Sequence, residues 1–487
     1  PWICSQMKST IFKTVKKHLI KLIPYVLCIF SSISGANSNL PPTQISAVLN
    51  DFNIPLNSVS ILVKKIGQNK PLLSINPRNP MDPASIIKIL PTWVALEKLG
   101  PNFRWRTEFF INGNILNGVL DGDLVIKGYG DPYLLLEDLW KIKRNLSLMG
   151  INTIKGDVII NNSYFEKISG ASEHRNYSVN PSALLLNFKS VEFYLFPVPN
   201  RNQIRIVTIP SLNGLKIVNE IIPTNEHCSN KNINLNFDNF GSNYEVVKFS
   251  GKLPIKCKSY RLSRPVMSPD LYFYGALKSL FEETGGNIFG SLKKNPTLSE
   301  SDLTLIHTHQ SKPLGDIVKA LNKWSNNVMT KMLVYKLGDK NNTLQIKRRD
   351  GVNSVTNFLL NSGVFTSGLR LIDGSGLSRN ARCSAKTISE TLEKAKNSFV
   401  MAEFISSLSV AGQDGTTRNR FKMIKNASRA RLKTGTKKDV SSLAGYVFSE
   451  EGDAYSLVLI INKSNLSKIA AHKIQDSLLR WTLSLSN

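Results

Sequence analysis

The pattern of apolar residues changes twice along this 487-residue chain, and that change constrains the fold more than any other feature. Patterns typical of helices occur near the start and again after about residue 267. Between them, from Arg104 to about Met267, short strand-like runs are separated by Asn and Gly turns. Three more strand-like runs precede a closing helix. The sequence therefore predicts an α+β domain, built from helices and a terminal antiparallel sheet, that is split by a β-rich insertion.

The predicted elements have defined positions. A strand pair is expected at Val59–Ile66 and Leu72–Ile75, and a helix should begin at Ser85 and end at Leu99, ahead of a Gly-Pro stop. Strands of the middle block are predicted at Thr107–Ile111, Val119–Lys127, Gly156–Asn161, Val191–Phe196 and Ile204–Ile209. Later helices and strands are predicted at Asp270–Thr284, Leu314–Lys336, Gly351–Ser362, Arg429–Gly435, Val440–Ser449, Ala454–Ile461 and about 466–483.

The N-terminal segment has the pattern of a secretory signal peptide. Met7 is the expected start, and the lysines that follow it precede an apolar run from Leu22 to Ile33. Ser34-Gly35-Ala36 then supplies the small residues that a signal peptidase requires. We expect residues 7–36 to be removed on export. An uncleaved anchor is the alternative, although the run is shorter than the about 20 residues that a membrane span needs.

The formal net charge of +27 raises the question of an anionic partner. Nucleic acid and membrane surfaces both attract basic proteins. However, the lysines are scattered, and no basic stripe alternates with aromatic residues as nucleic-acid binding would favour. We therefore expect no nucleic-acid partner and weak or no membrane association.

Three cysteines remain after removal of the leader: Cys228, Cys257 and Cys383. Export permits a disulfide, and Cys228 and Cys257 are the plausible pair because they lie in one region. The histidines of His307-Thr308-His309 lack the further ligands that a zinc site requires. We expect neither a metal nor a cofactor.

The first motif with chemical potential is Ser85-Ile86-Ile87-Lys88 at the predicted helix start. Residues three apart share a helix face, so the Lys88 amine can lie beside the Ser85 hydroxyl. The positive helix N-terminus disfavours a second cation, which helps to keep Lys88 neutral enough to accept a proton. This spacing predicts a nucleophile and its base.

Two later triplets complete the set. In Ser325-Asn326-Asn327, the Ser325 hydroxyl can relay a proton to the leaving nitrogen, and the Asn327 amide can orient Lys88 and a substrate carbonyl. In the predicted strand, Lys433-Thr434-Gly435 offers a cation and a hydroxyl to a carboxylate, and Gly435 permits close approach of a substrate backbone. Each motif alone is weak evidence for a catalytic site. The evidence comes from the order of the three motifs and their presence together.

With this set the sequence resembles the penicillin-binding proteins and serine β-lactamases. The 240 positions between Ser85 and Ser325 require a large insertion, which is similar to the class C low-molecular-mass penicillin-binding proteins. Further segments resemble that family: residues 83–101, 117–124, 128–132, 373–379 and 411–416. One departure is that residues 170–175 lack the family's Trp-rich stretch, and Glu173 is the only acid nearby.

The resemblance implies a penicillin-binding/β-lactamase-like transpeptidase domain at residues 37–104 and 266–487. An inserted second domain would cover 105–187 and 254–265, with a third domain nested at 188–253. It also implies an exported, periplasmic serine D-alanyl-D-alanine carboxypeptidase, with endopeptidase activity, that β-lactams acylate. Its partners would be peptidoglycan peptides ending in D-Ala-D-Ala.

The resemblance further implies roles for the motif residues. Ser85, Lys88, Ser325, Asn327 and Lys433 would be catalytic. Thr434, Gly435 and Thr436 would bind substrate, and the segments 373–379 and 411–416 would shape or border the site. Two alternatives remain open, namely a serine β-lactamase and a catalytically silent cell-wall scaffolding protein.

Overall fold

Strand-rich and helix-rich segments alternate along the computed structural model, which describes residues 40–166, 175, 178–240, 244–294, 300–339 and 345–485. The predicted leader and Glu173 lie outside these residues. The helices are α1 (Thr43–Asp51), α2 (Ile89–Leu99), α3 (Leu136–Leu148), α4 (Pro269–Glu283), α5 (Leu314–Trp324), α6 (Asn327–Leu337), α7 (Arg348–Asn361), α8 (Ala385–Lys396), α9 (Met401–Ser407) and α10 (Lys468–Ser484).

The strands are β1 (Val59–Lys65), β2 (Leu73–Ile75), β3 (Arg106–Leu116), β4 (Val119–Gly128), β5 (Thr153–Ile154), β6 (Val158–Asn161), β7 (Ser190–Val198), β8 (Gln203–Ile209), β9 (Leu215–Thr224), β10 (Asn232–Phe240), β11 (Tyr244–Pro254), β12 (Tyr260–Pro265), β13 (Asn287–Ile288), β14 (Leu292–Lys294), β15 (Thr304–Gln310), β16 (Ser409–Val410), β17 (Ala430–Lys437), β18 (Val440–Phe448) and β19 (Ala454–Asn462).

One antiparallel six-stranded sheet joins the two ends of the described chain, in the order β16-β17-β18-β19-β1-β2. Strands β18 and β19 are buried almost throughout, which explains why their sequences are nearly continuous apolar runs. Helices α1 and α10 cover one face, where Ile45 and Ile474 share a core with Leu459. Helices α2 and α8 cover the other face. The sheet thus lies between two helical layers, and the expected α+β fold is confirmed.

The inserted block is built from one seven-stranded sheet and two three-stranded sheets. Five strands follow the order β13-β5-β4-β3-β15, with β6 pairing β4 and β14 pairing β6, and two three-stranded sheets have the orders β10-β11-β9 and β12-β7-β8. Their apolar faces share one core, to which Phe193, Phe249 and Phe281 contribute. Cys228 and Cys257 form a disulfide in this block, and Cys383 is free and buried.

The pairing of strands assigns part of the chain to a different domain from the one that the sequence suggests. The sequence assigns residues 266–310 to the catalytic domain, yet β13, β14 and β15 pair with strands of the inserted sheet. Helix α4 contributes Phe273 and Leu277 to the same inserted core. We therefore propose that the catalytic domain comprises residues 40–104 and about 311–485.

The prediction of one continuous helix over Leu314–Lys336 is wrong, because the structure divides this segment into two helices at Ser325. Ser325 has left-handed backbone angles (φ 57°, ψ 38°) and ends α5. The Asn326 side chain then caps α6 by accepting a hydrogen bond from the Met329 amide at 3.1 Å. Tertiary packing, rather than local propensity, sets this break.

Within the described residues, every helix is too short or too polar to cross a membrane.

Candidate active site

The first motif forms a tight turn that leads into α2. A 3-10 turn spans Ala84–Lys88, and Ala84 has a positive φ of 46°, which is unfavourable for an L-residue. Ser442 and Asp82 hold this turn: the Ser442 hydroxyl donates to the Pro83 carbonyl at 2.7 Å, and Asp82 Oδ1 accepts from the Ala84 amide at 3.0 Å. The strained turn is therefore fixed from both sides.

The turn places the Lys88 amine beside the Ser85 hydroxyl. Lys88 Nζ lies 3.0 Å from Ser85 Oγ and 2.7 Å from Asn327 Oδ1, and it also donates to the backbone carbonyl of Ser375. The Lys88 side chain is fully buried, whereas Ser85 is partly accessible. The arrangement presents a hydroxyl to solvent with an amine directly behind it.

The break between α5 and α6 directs Ser325 and Asn327 to the same site. Asn327, at the first position of α6, reaches Lys88, and Ser325 Oγ accepts a hydrogen bond from Lys433 Nζ at 2.7 Å. A continuous helix would place these two side chains on different faces, because residues two apart do not face each other. The left-handed residue at position 325 therefore shapes the site.

Strand β17 forms the opposite wall and carries the third motif. Lys433 is fully buried, Thr434 is half-buried and donates to Thr416 Oγ1 at 2.8 Å, and Thr436 is exposed. A Cβ on Gly435 would lie 2.8 Å from the Ser85 amide nitrogen and 2.2 Å from Ser442 Oγ. Only glycine fits between the strand and the Ser85 turn.

A loop containing Asp373 and Ser375 closes the rear of the site. Asp373 Oδ1 accepts from the Ser375 amide at 2.9 Å and from its hydroxyl at 2.7 Å, which orients the carbonyl that Lys88 contacts. Gly376 has φ 77°, and a Cβ there would lie 2.0 Å from the Ala84 carbonyl oxygen. The family resemblance implies that segment 373–379 borders the site, and the structure places Asp373, Ser375 and Gly376 of that segment there.

The pKa values of the two buried lysines are both lowered. Burial, together with the positive charge of Lys433, lowers the pKa of Lys88 well below its usual value. Burial lowers the pKa of Lys433 to about 7. Both shifts have the same direction, and for Lys88 burial and the nearby Lys433 charge together favour the neutral amine. A neutral amine beside a serine can accept its proton.

A buried ion pair that no sequence pattern indicated supports the site. Lys437 Nζ lies 2.7 Å from Asp82 Oδ1, and both side chains are about one-tenth exposed. Asn462, on β19, holds the Asp82 backbone by donating to its carbonyl at 3.0 Å and accepting from its amide at 2.8 Å. Asp82 thus ties the Ser85 turn to the end of β17. In the sequence, only the position of Asp82 directly before Pro83-Ala84-Ser85 indicates that it lies near the site.

The structure brings together six of the sequence-predicted residues: Ser85, Lys88, Ser325, Asn327, Lys433 and Gly435. Thr434 and Thr436 flank Gly435 on β17. A serine in contact with a buried lysine, on an antiparallel sheet flanked by helices, is the arrangement typical of a serine hydrolase of the penicillin-binding class.

The chain belongs to the D-Ala-D-Ala carboxypeptidase 3 (S13) family, whose sequence model matches residues 42–485. The predicted family and the predicted enzyme class, a D-alanyl-D-alanine carboxypeptidase, are confirmed.

Curated relatives agree with this assignment over most of their length. The chain is 25% identical to the D-alanyl-D-alanine carboxypeptidase DacB of Haemophilus influenzae over 440 residues, covering 88% of this chain and 90% of the relative. It is 27% identical to a D-alanyl-D-alanine carboxypeptidase of Actinomadura sp., covering 90% and 85%.

Solved structures share the fold. Penicillin-binding protein 4 of H. influenzae matches with a TM-score of 0.72 and 23% identity, covering 90% of this chain and 98% of that protein. A complex of the same protein with a β-lactam matches equally, at 24% identity and with coverage of 92% and 100%. Bd3459, a predatory peptidoglycan endopeptidase of Bdellovibrio bacteriovorus, has a TM-score of 0.51 at 15% identity, covering 88% and 92%.

Proposed function

We propose that Ser85 is the nucleophile and Lys88 its general base in a D-alanyl-D-alanine peptidase that cleaves peptidoglycan stem peptides. The observation that supports this most strongly is the contact between the two side chains, 3.0 Å between Nζ and Oγ, with the lysine buried and its pKa lowered. A buried neutral lysine in hydrogen-bond reach of an accessible serine has the geometry and the proton affinity that acylation requires.

In the first step, Lys88 takes the Ser85 proton and Ser85 Oγ attacks the carbonyl carbon of the penultimate D-Ala. We assign stabilisation of the developing oxyanion to the backbone amides of Ser85 and Thr436, and the close approach of Gly435 on β17 to the Ser85 amide supports this. Each such donor contributes roughly 3–4 kcal/mol to transition-state stabilisation. A bond from Oγ to the carbonyl carbon forms, and the carbon–nitrogen bond of the peptide then breaks.

The leaving nitrogen needs a proton as that bond breaks. We assign a relay role to Ser325, whose hydroxyl accepts a hydrogen bond from Lys433 and so keeps its own proton for donation. Ser325 gives its proton to the nitrogen and receives the proton that Lys88 took from Ser85, so that Ser325 and Lys88 both return to their starting states. Lys433 and Thr434 bind the terminal carboxylate of the substrate through charge and a hydroxyl donor. Water then attacks the acyl-enzyme and returns Ser85 to its free form.

We also propose acylation by β-lactams, endopeptidase cleavage of cross-links and a periplasmic location. The β-lactam complex of the H. influenzae relative and the endopeptidase of B. bacteriovorus support the first two. The predicted leader supports the third.

The experiment that tests the proposed activity is release of D-Ala from a purified muropeptide that ends in D-Ala-D-Ala. The mature protein should release one D-Ala per peptide, and a Lys88→Met variant should lose this activity while retaining its fold by circular dichroism. Full activity of the variant would remove Lys88 from the mechanism.

A further inference from the structure

Beside Ser325, an exposed aromatic side chain and an arginine form a pair with no established role. The guanidinium carbon of Arg418 lies 5.9 Å from the centre of the Trp324 ring. Trp324 is 60% exposed, and Arg418 is exposed as well. Among the described residues, no carboxylate forms an ion pair with Arg418. A large aromatic face and an unpaired guanidinium, next to a catalytic motif, form a surface suited to an anionic ligand.

The turn that carries Arg418 is fixed to both walls of the cleft. Thr416, two residues earlier, accepts a hydrogen bond from Thr434 on β17 at 2.8 Å. On the other side, Asp414 forms an ion pair with Lys323, the residue before Trp324. The Asp414 carboxylate also accepts from the Val410 amide at 2.8 Å. The pair is therefore held in a defined position, between the end of α5 and the middle of β17.

We infer from its neighbours that this pair is on the leaving-group side of the cleft. In the proposed mechanism, which this inference takes as its basis, Ser325 protonates the leaving nitrogen and Thr434 binds the carboxylate next to it. Trp324 directly precedes Ser325 in the chain. Arg418 follows by two residues Thr416, which accepts the hydrogen bond from Thr434. A departing D-Ala offers a methyl group and one carboxylate. In a cross-linked peptide, the departing amine instead belongs to a second stem peptide, which extends further and carries more carboxylates.

We propose that Trp324 and Arg418 form a leaving-side subsite that binds the second stem peptide of a cross-linked substrate and so favours endopeptidase cleavage. The Trp324 ring packs on the extended chain, and Arg418 pairs with one of its carboxylates. Both contacts are made in water-accessible surroundings, so the arginine's contribution weakens with salt. The pair is a specificity-determining element rather than a catalytic one.

The test compares two substrates with one enzyme: a purified cross-linked muropeptide dimer and a monomeric peptide ending in D-Ala-D-Ala. For Arg418→Gln and Trp324→Ala, the ratio of kcat/KM for dimer cleavage to kcat/KM for D-Ala release should fall about tenfold. The loss should appear in the KM for the dimer, and Trp324→Phe should restore most of it. Added salt should lower the ratio in the parent enzyme and change it little in Arg418→Gln.

A matched control is available on the inserted sheet, where the exposed Arg205 lies 5.5 Å from the centre of the Phe196 ring. Arg205→Gln should leave the ratio unchanged. If Arg418→Gln and Trp324→Ala reduce both reactions equally, or neither, the subsite is wrong, because a shared loss reflects the common carboxylate or the fold. If the parent enzyme releases no D-Ala, the proposed function is wrong. Failure of the subsite and failure of the proposed function therefore give different results.

Discussion

The ammonium group of Lys433 lies close enough to Lys88 to lower the pKa of Lys88, and both side chains are fully buried. The two lysines have different hydrogen-bond partners: Lys88 contacts Ser85 and Asn327, and Lys433 contacts Ser325. Lys88 is thereby suited to accept the Ser85 proton, and Lys433 is suited to bind a negatively charged group of the substrate. The lowered pKa of Lys88 has consequences that can be measured.

Replacing Lys331 should shift the pH dependence of acylation. Lys331 follows Asn327 by one turn of α6, and its charge helps to lower the pKa of Lys88. Lys88 acts as a base only when neutral, so the rate rises as pH increases through its pKa. In Lys331→Met the pKa of Lys88 rises, and the acidic limb of the acylation rate should move to higher pH. Stopped-flow acylation by a chromogenic β-lactam measures this.

Lys319→Met is the control for that shift, since Lys319 is an exposed lysine on α5. Its pH profile should match that of the parent enzyme. A shift of the acidic limb to lower pH in Lys331→Met would contradict the electrostatic account.

An alanine at position 376 should displace the nucleophile. The new Cβ would lie 2.0 Å from the Ala84 carbonyl oxygen, so the Ser85 turn must move. A displacement near 1 Å costs about a hundredfold in rate, and we expect a loss of that order in β-lactam acylation.

Gly285→Ala separates that clash from simple backbone strain. Gly285 has nearly the same angle (φ 81°, against 77° at Gly376), but a Cβ on Gly285 would have no neighbouring atom within 4 Å. This variant should lose roughly 1–2 kcal/mol of stability from the left-handed backbone alone, with normal acylation. Equal acylation by both variants would show that the Gly376 contact has no effect on the nucleophile.

Removing Asp82 should destabilise the catalytic domain. The Asp82–Lys437 pair is nearly buried, and loss of one partner leaves an uncompensated charge, at a cost of about 3–5 kcal/mol. Urea unfolding of Asp82→Ala, monitored through the loss of covalent penicillin labelling, measures this cost. Glu220→Ala breaks the exposed Lys248–Glu220 pair and should cost less than about 1 kcal/mol. Similar unfolding midpoints for the two variants would contradict the role assigned to Asp82.

Removing the disulfide should affect the inserted block alone. Cys228 and Cys257 are 29 positions apart, and closing a loop of that length stabilises by roughly 3–4 kcal/mol in the chain-entropy description. Replacing both by serine should increase hydrogen exchange in β9–β12. Acylation of Ser85 should be unchanged, because the bridge joins segments of the inserted block, whose core is separate from that of the catalytic sheet. Slower acylation would show that the inserted block supports the active site.

Local patterns predicted the elements well where one face is buried or a stop signal is strong. The strands at Val440–Ser449 and Ala454–Ile461 differ from β18 and β19 by one residue at a single end. Helix α2 ends at Leu99, ahead of Gly100, as predicted. The three candidate motifs are visible in the sequence because each is only three or four residues long.

Features that depend on distant partners could not be predicted. The Ser375 carbonyl that accepts from Lys88 is 287 positions away, and the family resemblance indicates only that its segment borders the site, not this contact. The pairing of β15 with β3 also joins distant segments, which is why local patterns place the domain boundary near residue 266 rather than near residue 311. The left-handed angle at Ser325 depends on packing around it, since its residue type does not require such an angle.

The most direct test of the central claim is intact-mass analysis of the mature protein after exposure to penicillin, beside a Ser85→Ala variant. The account predicts a single stable adduct on the parent protein and none on the variant. No adduct on the parent protein, or an adduct that persists without Ser85, would contradict the assignment of Ser85 as the nucleophile.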